Sequence, residues 1–88
     1  MKVLVLYRPN SEHARIVEDF IENMKSQMHA PDLDILNIDT REGSSMASLY
    51  DIMSYPAILV LQTDGSLLKS WEGDMMPLTD EVVGYVHV

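Results

Sequence analysis

The stretch ASLYDIMSYPAILVLQTDGSLLKSWEG, residues 47–73, decides the fold. At its centre Pro56 opens AILVLQ, residues 57–62. A continuous apolar run of that length reads as a strand buried on both faces. Proline is tolerated at the first position of a strand, where the missing N–H costs no ladder bond. TDGS follows, and Asp-Gly between two strand-like runs is a strong hairpin signal. LLKSWEG, residues 67–73, is therefore the antiparallel return strand. Upstream, TREGSS reads as a loop in which Ser44 or Ser45 caps a short helix running through Met53. Met46, Leu49, Tyr50 and Met53 would share its inner face.

Moving toward the start, KVLVLY, residues 2–7, is another strongly apolar strand. Pro9 and Asn10 break it. Asn10 or Ser11 suits a helix N-cap, because a short polar side chain can accept from a free amide there. Ala14, Val17, Phe20, Ile21, Met24 and Met28 then fall on one helical face, with Glu18, Asp19, Glu22 and Lys25 on the other. Pro31 ends the helical region. DLDILNID, residues 32–39, is a shorter strand. Toward the end, Leu78, Val82, Val83 and Val86 mark a closing helix, with Pro77 near its start and Thr79 or Asp80 as cap. The order is strand, helix, strand, helix, strand, strand, helix. The first crossover implies parallel neighbours and the hairpin an antiparallel pair. An α/β domain spanning residues 1–88 is expected, with a four-stranded mixed sheet and three helices.

This order resembles the glutaredoxin-type core of the thioredoxin fold. Residues 47–73 resemble a familiar thioredoxin run, with Ala47, Tyr50, Ile52, Pro56, Gly65 and Gly73 in its marker places. The match is close over about a third of the chain and rests on element order elsewhere. In that family the proline before the third strand is cis and faces the start of the first helix. The resemblance thus implies a cis Tyr55–Pro56 bond.

YRPNSEHAR, residues 7–15, occupies the place of the family's active site. In redox-active relatives a thiolate sits there, stabilised by the helix dipole and free amides. Aligned on that pattern, Ser11 and Ala14 stand where two cysteines would be; a slip of one residue puts Asn10 and His13 there. Neither register supplies a thiol, and the chain has no cysteine at all. A redox-inactive domain and no enzyme activity are expected. One alternative is a glutaredoxin-like oxidoreductase whose cysteines are replaced here, for which cysteine codons at positions 11 and 14 would be the sign. Another is a glutathione-type ligand-binding protein, for which only Arg8 and Arg15 lie near as anchors.

Other chemistries find little support. The formal net charge of −8, from 14 acidic and 6 basic residues, repels a phosphate backbone and an anionic membrane surface alike. No apolar run approaches the ~20 residues of a membrane span. The opening MKVLVLYRP has too short an apolar run for a signal-peptide core, so a cytoplasmic setting is the default. Ser11 and His13 are two apart and would point to different sides of a helix, which suits a cap and a solvated side chain better than a nucleophile and its base. His13, His29 and His87 are scattered without metal-ligand spacing. Asp32 and Asp34 alternate along a strand and do not form a calcium loop. Glycine patterns that cradle phosphate are absent, and no cofactor or metal is expected.

Of the seven methionines, Met24, Met28, Met46 and Met53 are assigned to inner helix faces. Met75 and Met76, in EGDMMPLTD, make either an adaptable contact surface or a pair of which one tucks into the core. Trp71 either covers the sheet or faces a partner. The resemblance brings together a groove formed by Arg8, Asn10, Ser11, Ala14, Tyr55, Pro56, Gly73 and Asp74. In relatives such a groove holds an extended peptide or glutathione, the main chain before the proline pairing with it as an added strand. The expected partner is a protein or peptide, a second copy of this chain being one candidate.

Overall fold

Two apolar runs form the middle of the sheet because neither has a polar face to give to water. They are β1 (Lys2–Tyr7) and β3 (Ala57–Leu61). Val3 to Leu6 and Ala57 to Val60 are completely buried. The computed structural model describes residues 1–28, 30–73 and 76–86, in the order β1, α1 (Ala14–Lys25), β2 (Asp32–Asn37), α2 (Arg41–Leu49), β3, β4 (Leu67–Glu72), α3 (Thr79–Val86). The strands lie in the order β2-β1-β3-β4. β1 and β2 are parallel; β3 is antiparallel to both β1 and β4. The hairpin is as the sequence suggests, with Gly65 at φ 89° and Gln62 and Ser66 bonded across the turn.

Side-chain alternation divides the core in two. Val3, Val5, Tyr7, Ile58 and Val60 pack against Val17, Phe20 and Met24 of α1 and Val82 of α3. Leu4, Leu6, Ala57, Leu59 and Leu61 pack against Ala47 and Ile52. Trp71 covers the α1/α3 side, its ring edge-on to Tyr85 with centroids 5.6 Å apart.

The helix ends differ from the sequence expectations, each for a local reason. α1 begins at Ala14, and neither Asn10 nor Ser11 caps it. Asn10 has left-handed backbone (φ 65°), and Ser11 donates its hydroxyl to the Arg8 carbonyl. α1 ends at Lys25, where Ser26 and Gln27 side chains both bond the Asn23 carbonyl, and Met28 is left 92% exposed. In α2 the cap is Thr40, not Ser44 or Ser45: its hydroxyl accepts from the Gly43 N–H at 3.0 Å.

α2 also stops early. Asp51 adopts φ 55°, while Ile52 N–H returns to the Ala47 carbonyl and Asp51 N–H to Ser48. This pair of bonds with a left-handed residue is a Schellman end, and it drives Ile52 inward. Leu49 and Met53 are consequently exposed, while Met46 and Tyr50 remain against the core. At α3 Leu78 is exposed and Thr79 is already helical; the Glu81 carboxylate accepts from the Leu78 N–H. His29, Met75 and His87 lie outside the described residues.

Candidate functional site

The strand register gathers the site. Leu6 pairs with Ala57, Ala57 with Glu72, and Tyr7 with Asn37. The ends of β1, β2 and β4 therefore meet the start of β3 at one edge of the sheet. Arg8, Pro56 and Gly73 follow or precede those ends directly. Gly73 N–H donates to the Pro56 carbonyl at 2.9 Å, and Gly73 holds φ 83°, a backbone region that favours glycine. The Tyr55–Pro56 peptide bond is cis. Asp74 lies outside the described residues.

The loop before Pro56 is held by a side chain from β4. One Glu72 carboxylate oxygen accepts from Met53 N–H at 2.9 Å and from Ser54 N–H at 3.3 Å. Tyr55, next along, makes no main-chain hydrogen bond to another described residue. Among the described residues nothing pairs with its N–H or C=O, and it directly precedes Pro56. Glu72→Ala is expected to speed hydrogen exchange of the Met53 and Ser54 amides about fivefold, the ~1 kcal/mol net worth of an ordinary intramolecular hydrogen bond. Glu72→Gln, which keeps one acceptor oxygen, should lie between. NMR-detected exchange reads both; unchanged rates would show that Glu72 does not hold the loop.

At the start of α1 the short polar side chains serve the main chain of Arg8. Ser11 Oγ donates to the Arg8 carbonyl, and Arg8 N–H donates to His13 Nε2 at 3.2 Å. Ser11 and His13 thus make no bond to each other, and no nucleophile-base pair is assembled. Ala14 is the first residue of α1 and is nearly buried. The Arg8 side chain turns to the end of β2, where its Nε and a terminal nitrogen meet the two Asp39 oxygens at 2.9 and 3.0 Å. That bidentate hydrogen bond holds the Asp39 carboxyl below the usual carboxylate range and raises Arg8 further. Beneath the helix start, burial pushes the Tyr7 phenol up, and its hydrogen bond to Glu18 and that carboxylate's charge add to the shift.

A shallow groove of about 260 Å³ opens beside Pro56, lined also by Glu12, His13, Ile16 and Met76. Of the expected groove residues that the structure describes, only Pro56 lines it. Tyr55 and Gly73 adjoin Pro56 through the chain and the Gly73–Pro56 bond. Arg8, Asn10 and Ser11 form the turn before the helix, with Arg8 engaged by Asp39. Sequence reasoning passed over Ile16 as lining, whereas Met76 was weighed there as half of an adaptable contact surface. Ile16 carried a signal: it is apolar yet lies off the buried stripe of α1, which an amphipathic helix does not need. Among the described residues no three His, Asp or Glu side chains converge as a metal-binding group. No described helix is long and apolar enough to cross a membrane.

No family model matches the sequence, and no curated protein matches it. Solved structures do. A malarial protein aligns with a TM-score of 0.73 and 16% identity, over 98% of this chain and 92% of its own. Thioredoxin 1 from Thermosipho africanus aligns at 0.70 and 13% identity, over 99% and 91%. Thioredoxin O2 from Arabidopsis thaliana, in its oxidised state, aligns at 0.72 and 10% identity, over 98% and 71%. Likeness at such low identity shows the fold. The chain has a thioredoxin-like fold and carries no cysteine, so it lacks the thiols on which disulfide exchange depends.

Proposed function

We propose that this redox-inactive thioredoxin-like chain binds a protein or peptide segment at the groove beside Pro56. The observation that carries the reading is the main chain of Tyr55, unpaired among the described residues and next to Pro56, which lines that groove. An extended segment adds to such an edge as a further strand, its main chain pairing with Tyr55 and one side chain entering between Ile16 and Met76. Binding of this kind needs no thiol and forms no covalent bond. Glutathione fits less well. Its two carboxylates would meet Glu12 in the groove, and Arg8 is already held by Asp39.

Titration of the ¹⁵N-labelled chain with extended peptides tests the reading. Amide shifts are expected at residues 12–16, 54, 55, 57 and 76, with glutathione leaving them unmoved. A spectrum unchanged by every peptide, or shifts clustered elsewhere, would show that the groove is not a binding site.

A further inference from the structure

The groove beside Pro56 has a neighbour. A second groove of about 270 Å³ shares Ile16 and Met76 with it and is lined by α1 and the residues at the start of α3. Phe20, Pro77 and Leu78 extend its apolar lining. Ile16 is 57% exposed and Leu78 71%, so two large apolar side chains border it open to water. Burying them is the main free energy the surface offers. The charge along it has one sign. Glu12 lines the first groove and Asp19 the second, and among the described residues no lysine or arginine lines either. Asp80 and Glu81 stand in the first turn of α3, directly after Leu78 and Thr79, and deepen the negative field. Of the two cations near the helix start, Arg8 is paired with Asp39, and Arg15, in the first turn of α1, lines neither groove.

We infer that the partner is a basic, apolar peptide segment, its lysines or arginines set against Glu12 and Asp19 and its apolar side chains against Ile16, Met76 and Leu78. This rests on the peptide-binding reading above and specifies its ligand. Apolar contact supplies affinity, while the carboxylates choose the sign of the partner and speed encounter. A second copy of the chain is a poor occupant, because two molecules of net charge −8 repel.

The experiment uses the full chain and three 12-residue probe peptides: leucine with lysine, leucine with glutamate, and serine with lysine. Titration by NMR and calorimetry should show binding of the leucine–lysine peptide alone, with shifts at residues 16, 19, 20, 23 and 78 as well as at 54–57. Asp19→Lys should weaken that binding about fivefold, the scale of one solvent-exposed charge pair reversed. Asp32→Lys makes the same change in net charge at the far end of β2 and should weaken it less than twofold. Both sites are on the surface, and circular dichroism checks their folding.

Equal effects of the two variants, or equal binding of the serine–lysine peptide, would reduce the attraction to general charge and overturn the inference. Binding of the glutamate peptide, or shifts confined to residues 8–14 and 54–57, would overturn it while leaving the peptide-binding reading standing. No shift with any peptide would remove both. Concentration-dependent dimerisation through the same residues would assign the groove to a second copy and overturn it as well.

Discussion

Gly43→Ala should destabilise the chain by about 2–3 kcal/mol, the scale of a steric insertion into a packed contact. That corresponds to a melting temperature lower by about 10 °C or more in a domain this small. The change is one that helix propensity alone would favour by about 1 kcal/mol, since Gly43 lies inside α2. Geometry reverses the sign. A Cβ at Gly43 would lie 2.1 Å from the Asn37 carbonyl oxygen, 2.7 Å from its carbon and 3.1 Å from the Ile38 Cα. All three are backbone atoms, so no rotamer change relieves the contact. The same Asn37 oxygen accepts from Thr40 N–H at 3.0 Å and from the Thr40 hydroxyl at 2.7 Å, so moving it also disturbs the cap. Gly84 supplies the opposite case on α3. It is exposed, and a Cβ there meets nothing within 4 Å. Gly84→Ala should therefore stabilise by about 0.5–1 kcal/mol through reduced freedom of the unfolded chain. Thermal melts of the two variants are expected to move in opposite directions. Equal melting temperatures would mean that α2 does not approach β2 as closely as described.

The same contact explains which parts of the fold were legible. Runs such as Val3–Leu6 and Ala57–Leu61 declare buried strands without help from their neighbours, and the Asp64-Gly65 pair declares its turn because few residues tolerate the backbone it needs. The start of α2 is different. Thr40, Ser44 and Ser45 all carry a hydroxyl able to cap. Thr40 is chosen because Gly43 alone lets the first turn press on Asn37, a contact between elements that no local pattern records. The candidate site divides along the same line. Pro56 was visible because its place before a buried strand is a matter of sequence. The Arg8–Asp39 pair joins residues 31 apart and withdraws one of the two cations, Arg8 and Arg15, that the sequence offered to a ligand. The Glu72 hold on the Met53–Ser54 amides likewise spans the β3–β4 hairpin. Long-range hydrogen bonds decide which polar groups at the site remain unspent, and they follow from the fold rather than precede it.

Periodicity fails at an element's end in a way that a paired substitution can measure. Met24 and Met28 are four apart and, on a continuous helix, would share the inner face of α1. The side chains of Ser26 and Gln27 instead bond the Asn23 carbonyl, and the helix stops at Lys25. Met24 is 1% exposed among Val17, Phe20 and Ile21, whereas Met28 is 92% exposed. Met24→Ala should cost about 2–4 kcal/mol, from lost transfer free energy and the cavity left against the central strands. Met28→Ala should change stability by less than about 0.5 kcal/mol, as a surface substitution does. Alanine is the best helix former, so propensity cannot produce the loss at Met24. Urea denaturation distinguishes the outcomes: a lower midpoint with unchanged slope is expected for Met24→Ala alone. A comparable loss at Met28 would mean that α1 continues past Ser26 and buries that side chain, and the end of the helix would need to be redrawn. Ile16, Asp19, Phe20 and Asn23 of the same helix line the groove, so a Met24→Ala change that loosens the seating of α1 loosens that lining too. The stability of the two methionine variants therefore bears on the binding surface as well as on the core.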